Sequence, residues 1–205
     1  PFQFVKFHFK RQVFVSLNFL LKSPHVIRAE FPLQKSFNPF VSFVNHILDF
    51  KKFINGGVFT LTFVMAFENV LAECARVPRE HQKGTWIVDE MVEAYCKLHA
   101  SGFAHSVEAW QGTRLAGGLY GVSLGRCFFG ESMFSKKTDA SKIALVALCR
   151  QLQQWGFTLM DCQISNSHLL RMGAQEISRA EFERYLSTAS DPDHWGQDFR
   201  ASKRW

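Results

Sequence analysis

The stretch His105-Ser106-Val107-Glu108-Ala109-Trp110-Gln111-Gly112-Thr113-Arg114-Leu115-Ala116-Gly117-Gly118-Leu119-Tyr120-Gly121-Val122 decides the fold. His105–Trp110 and Arg114–Val122 read as the two arms of a β-hairpin about the Gln111-Gly112 turn. Working towards the C-terminus, Leu124-Gly125 turns into a strand-like run, Arg126–Phe129. Ser141–Trp155 is a long amphipathic helix stopped by Gly156, and Thr158–Gln163 is the next strand. Ser167–Met172 makes a short helix before Gly173, and Arg179–Leu186 another. Working towards the N-terminus, Asp89–Ala100 is helical, with Met91, Val92, Tyr95 and Leu98 on one face and Gly102 as its stop. Ala66–Cys74 carries a helical stripe at Ala66, Phe67, Val70, Leu71 and Cys74; Pro78 ends it, and Thr60–Phe63 before it is strand-like.

Helices alternating with a hairpin and single strands predict an α+β domain built on a mostly antiparallel mixed sheet flanked by helices. A hairpin, a further strand, a long helix and a strand is close to the acyltransferase layout of the GNAT type, an analogy of fold and not of function.

Composition bounds the rest. The chain has 205 residues, 47% hydrophobic and 20% charged, enough for one sizeable core. Five scattered cysteines (Cys74, Cys96, Cys127, Cys149, Cys162) with no Cys-x-x-Cys pair suit reduced thiols in the cytoplasm better than a disulfide framework. The eight histidines lack ligand spacing, so no metal is expected. No apolar run approaches the roughly 20 residues a membrane span requires.

The net charge of +6 sits entirely in residues 1–59, which also hold 13 of the 22 phenylalanines without helical or strand period. Two readings of that segment stay open: a basic, aromatic lobe that contacts RNA, or a stretch that is not native coding sequence. The expected division is therefore 1–59 as an unmatched segment, 60–186 as the GNAT-like α+β domain and 187–205 as a polar tail.

Chemistry concentrates in two stretches, Gly130-Glu131-Ser132-Met133-Phe134-Ser135 and Met160-Asp161-Cys162-Gln163. Glu131 follows a strand-like run, and Asp161 and Gln163 alternate with apolar neighbours, so on a strand they share a face. Two carboxylates and a carboxamide at the ends of neighbouring apolar strands are costly to bury without partners. They form either a satisfied buried network or a site that orients a polar substrate.

Several stretches together resemble the leucyl/phenylalanyl-tRNA–protein transferase family. They are Gly84-Thr85-Trp86-Ile87, Glu93-Ala94-Tyr95, Leu98-His99, Ala104–Glu108, Gly117–Gly121, Gly130–Ser135, Ala140-Ser141-Lys142, Asp161-Cys162-Gln163 and Gly173-Ala174. The resemblance implies a GNAT-like fold and transfer of Leu or Phe from Leu-tRNA or Phe-tRNA to proteins beginning with Arg or Lys. It also implies no cofactor and no metal. Carried over by motif, Glu131, Asp161 and Gln163 form the catalytic centre, with Gln163 as positioner of the attacking amine because a carboxamide is a poor proton acceptor. By motif position Leu119, Phe128, Leu148 and Met160 line the aminoacyl side-chain pocket, although the same residue types also suit an ordinary core. Trp86 suits stacking on the terminal adenine of the tRNA, or a core position. His105 and His168 read as packing histidines. Ser141-Lys142 suits either a phosphate contact or a plain helix cap. The family's N-terminal Gly-rich, Gly-Ile-Phe-Pro-Trp and Trp-Ser-Pro segments are not recognisable in residues 1–59. This leaves two alternatives beside the transferase: an inactive remnant lacking that lobe, or another GNAT-like aminoacyl-tRNA-dependent transferase.

Overall fold

The structure is a computed structural model, and it describes residues 26–30, 59–77, 87–163, 167–172 and 174–188. Its strands are β1 (Val26–Glu30), β2 (Thr60–Phe63), β3 (Ala104–Gln111), β4 (Arg114–Leu124), β5 (Cys127–Ser135), β6 (Leu159–Gln163) and β7 (Gln175–Ile177). Its helices are α1 (Phe67–Arg76), α2 (Asp89–Ala100), α3 (Ala140–Gln154), α4 (Ser167–Arg171) and α5 (Arg179–Thr188). The α+β class and the order of hairpin, strand, long helix and strand are as expected. Trp86, the side chain of His168 and residues 189–205 lie outside the described residues.

The strands form one sheet in the order β2-β3-β4-β5-β6-β1-β7. Every neighbouring pair is antiparallel except β5 and β6, which run parallel. A parallel pair needs a crossover, and α3 supplies it. One face of α3 is therefore pressed on the sheet, where Ile143 and Leu148 pack among Leu119, Phe128 and Met160. The opposite face carries α1 and α2, whose Val70, Leu71 and Leu98 pack around Tyr120, Val122 and Phe134. Phe182 of α5 covers Cys127, Phe129 and Leu159.

Close approaches explain the glycines of β4. A Cβ at Gly117 would stand 2.6 Å from the Ala140 Cβ, so only glycine lets the start of α3 reach the sheet. At Gly121 a Cβ would stand 2.2 Å from the Phe129 carbonyl oxygen of the neighbouring strand.

Three elements differ from the sequence reading. The fifth strand does not stop at Phe129; it continues through Glu131 and Ser132 to Ser135. The short strand β7 was not expected. Nor was β1, which lies inside the 1–59 segment and pairs with β6 on one side and β7 on the other.

Candidate active site

The polar centre forms where two strands lose their regular pairing. In β5, Tyr120 faces Ser132 while the next residue, Gly121, faces Gly130, so Glu131 is an extra residue with no partner across the pair. The bulge shows in the packing: Phe129 and Phe134 are an odd number apart, yet Phe129 pairs with Val122, which shares its apolar cluster with Phe134. Such bulges re-aim a side chain. In β6, Asp161 faces Arg28 and Gln163 faces Ile27, which leaves Cys162 as the extra residue. The parallel pairing of β5 and β6 itself stops at Phe129 and Asp161.

Glu131 and Gln163 meet at this point. Gln163 Nε2 donates to Glu131 Oε2 at 3.1 Å. Gln163 is held with φ at 62°, a left-handed conformation uncommon for a non-glycine residue. Its backbone N–H donates to Asp161 Oδ1 at 2.9 Å, so the buried Asp161 fixes the turn that presents the carboxamide. The sequence reading expected Asp161 and Gln163 on one face of a regular strand. The structure instead ends the strand at Gln163 with a side-chain-locked turn.

Tyr95 of α2 is the residue that sequence reasoning left out of the centre. Its hydroxyl donates to the Glu131 carboxylate. Its ring is buried, edge-on to Tyr120 at 5.1 Å between ring centres, so the hydroxyl has little freedom to point elsewhere. The available signal was a tyrosine on an otherwise apolar helical stripe, since a buried phenol requires a hydrogen-bond partner. Burial foremost, then the charge of Glu131, drives the Tyr95 pKa far above its usual range, so the phenol stays a donor. Burial likewise raises the Glu131 pKa; hydrogen bonds from Gln163 and Tyr95 oppose the rise, and the nearby Asp161 adds to it.

The four residues expected to line a pocket occupy the α3 side of the sheet. Leu119, Phe128, Leu148 and Met160 belong to one cluster and are each at most 2% exposed. The Cys149 Sγ lies 3.6 Å from the Met160 Sδ. Burial pushes the Cys149 thiol well up, and burial followed by the Asp161 charge pushes Cys162 up to about 12. Neither thiol is a nucleophile near neutral pH.

The other singled-out positions have structural partners. Ser141 N–H donates to Ser135 Oγ at 3.2 Å, and the Lys142 ammonium pairs with Asp139. Both groups proposed to hold a phosphate are thus engaged within the protein, and the residue at the N-cap position of α3 is Asp139, not Ser141, with no hydrogen bond from its side chain to the helix end. His105 is buried in β3. The buried Glu108 is a satisfied network. Its carboxylate accepts from the hydroxyls of Thr62 and Ser106 and from the N–H groups of Met65 and Ala66 at the start of α1. Among the described residues no group of three or more His, Cys, Asp or Glu is placed to hold a metal. Among them too, no helix is long and apolar enough to cross a membrane.

Comparison with known proteins now adds to this geometry. A family model described as leucyl/phenylalanyl-tRNA protein transferase matches residues 43–187. A leucyl/phenylalanyl-tRNA–protein transferase of Cellvibrio japonicus is 43% identical over 189 residues, 89% of this chain and 75% of its own length. One from Hydrogenovibrio crunogenus is 55% identical over 135 residues, 66% of this chain and 53% of its own. One from Nitrosomonas europaea is 60% identical over 122 residues, 60% of this chain and 51% of its own. The chain therefore spans about half the length of most of these curated relatives. Among solved structures, L-PGS from Bacillus licheniformis is similar, with a TM-score of 0.44 and 15% identity over 88% of this chain and 57% of that one.

Proposed function

We start from the fact that this chain belongs to the leucyl/phenylalanyl-tRNA protein transferase family, and we propose that it transfers Leu or Phe from aminoacyl-tRNA to the α-amine of a protein beginning with Arg or Lys. On this reading the tagged proteins are directed to degradation, and the enzyme works in the cytoplasm without a cofactor. The observation that supports it most is the meeting of Glu131, Gln163 and Tyr95 at the break between β5 and β6, beside the buried Asp161.

In the reaction, the acceptor nitrogen forms an amide bond with the aminoacyl carbonyl carbon. The ester bond to the ribose oxygen breaks, the nitrogen gives up a proton and the ribose oxygen gains one. An aminoacyl ester is already activated, so orientation is the main task of the protein. Gln163 orients the amine, with its backbone fixed by Asp161 and its carboxamide fixed by Glu131. The carboxylates of Asp161 and Glu131 favour a cationic acceptor terminus electrostatically. Leu119, Phe128, Leu148 and Met160 receive the aminoacyl side chain, and Trp86 receives the terminal adenine.

The test is transfer of labelled Leu and Phe from charged tRNA to peptides beginning with Arg, Lys or Ala, using this chain as it stands. Transfer to the first two and not the third is expected. Absence of transfer in the folded chain would leave the remnant reading in its place.

A further inference from the structure

Gly130 is a glycine for which neither its backbone conformation nor packing against the described residues gives a reason. Its φ is not among the positive values that Gly102, Gly112, Gly125 and Gly156 adopt. Among the described residues a Cβ there would meet the Asp161 carbonyl oxygen at 3.4 Å and the Met160 Cε at 3.6 Å, both ordinary contacts. Its partner across the strands, Gly121, is the opposite case, since any side chain at 121 would collide with the Phe129 backbone. An alanine thus fits at 130 sterically, and yet the position is bare.

What that bare position adjoins is informative. Gly130 immediately follows the last residue of β5 paired with β6 and immediately precedes the bulged Glu131. The atoms nearest its missing side chain are the backbone of Asp161 and the tip of Met160. The polar centre lies on the α2 side of the sheet, through Tyr95, and the cluster containing Met160 lies on the α3 side. A substrate whose reacting carbonyl sits at Gln163 and whose side chain packs on Met160 has to pass this break between the strands.

We propose that Gly130 is a specificity-determining position: its absent side chain leaves the passage through which the aminoacyl side chain reaches Met160. This rests on the transferase reading above. The passage admits a flat, wide ring only while it is bare, whereas a narrower Leu side chain tolerates one added methyl group. Gly130→Ala therefore acts on Phe more than on Leu.

Calorimetric binding of the Leu and Phe amides of 3′-amino-3′-deoxyadenosine tests this without requiring turnover. In Gly130→Ala the Phe amide should weaken by roughly tenfold or more relative to the Leu amide, the scale of one methylene in a hydrophobic pocket. Shortening the facing residue in Gly130→Ala/Met160→Ala should return much of the lost preference. An unchanged ratio of the two affinities, with both amides bound by the parent, overturns the inference and leaves the transferase reading standing. A Gly130→Ala chain that fails to fold also overturns it, because the position is then one of packing. A folded parent that binds neither amide removes the transferase reading, and the inference falls with it.

Discussion

Gln163 and Glu131 are joined by a 3.1 Å hydrogen bond, and each occupies a place where its strand departs from regular pairing. Glu131 is the extra residue of a bulge, and Gln163 follows the extra residue of another at φ 62°. A non-glycine residue held there costs on the order of 1–3 kcal/mol, and such strain persists where the surroundings over-determine it. Here the Asp161 carboxylate holds the backbone N–H and the Glu131 carboxylate holds the side chain. Local stability has been given up to aim a carboxamide.

That arrangement separates stability from activity. Gln163→Gly removes the strain and the carboxamide together, so the variant should unfold at an equal or higher denaturant concentration while losing about 10²-fold in transfer. Asp161→Asn keeps an oxygen for the Gln163 N–H and should keep the turn, whereas Asp161→Ala should lose the turn and transfer alike. Denaturant titration and transfer from Leu-tRNA, measured on the same preparations, check both. Full activity in Gln163→Gly would remove Gln163 from the site.

Glu131 carries a pH dependence whose sign is fixed by its raised pKa. Folding shifts its balance towards the neutral form relative to the unfolded chain, so this contribution to stability is fully present below its ordinary value of 4.5 and is lost as pH rises through the raised folded value. Glu131→Gln does not titrate. Parent and variant should therefore be most alike at low pH, where Glu131 is neutral, and the variant should gain on the parent as pH rises from 4 to 8. Unfolding midpoints across that range measure the difference. A parent that gains on the variant would show that the bonds from Tyr95 and Gln163 outweigh burial.

How much of this was legible in the sequence differs residue by residue. The hairpin, α2 and α3 announce themselves through apolar period and glycine stops, because a buried face and a chain reversal each constrain composition locally. Glu131, Asp161 and Gln163 stand out because polar groups at apolar strand ends call for partners. The bulge at Glu131 was hidden: it comes from the pairing of Tyr120 with Ser132 and Gly121 with Gly130, and pairing is a property of two strands. Strand β7 has three residues, too few to show a period. Strand β1 draws its order from β6 and β7, which lie more than a hundred residues away along the chain.

Strand β1 also bears on where the domain begins. A boundary at Thr60 is a proposal that a truncation can test. In the full chain Val26–Glu30 covers the side of β6 opposite to β5, so a fragment of residues 60–186 would leave that edge and the Asp161–Gln163 turn unpaired. The fragment is expected to melt at lower temperature than the full chain and to associate. A monomeric fragment with an unchanged melting temperature would place the boundary at Thr60.

The last prediction separates pocket from core. Phe128 is 1% exposed and packs in the same cluster as Leu119, Leu148 and Met160, an environment that a core and a closed side-chain pocket share. Phe128→Ala should cost roughly 3–5 kcal/mol of folding free energy on either account, because it removes a buried ring. Stability therefore cannot decide, but selectivity can. If the ring touches the aminoacyl side chain, its removal enlarges the space and shifts relative transfer from Leu towards Phe and bulkier aromatic side chains. The measurement is the ratio of kcat/KM for two charged tRNAs in one preparation, from which the concentration of folded enzyme cancels. A change of tenfold or more is expected at Phe128 or Met160, the two members that meet across the parallel pair β5–β6. Ratios that stay constant through substitutions at all four positions would make the cluster a core and put the recognition of Leu and Phe elsewhere.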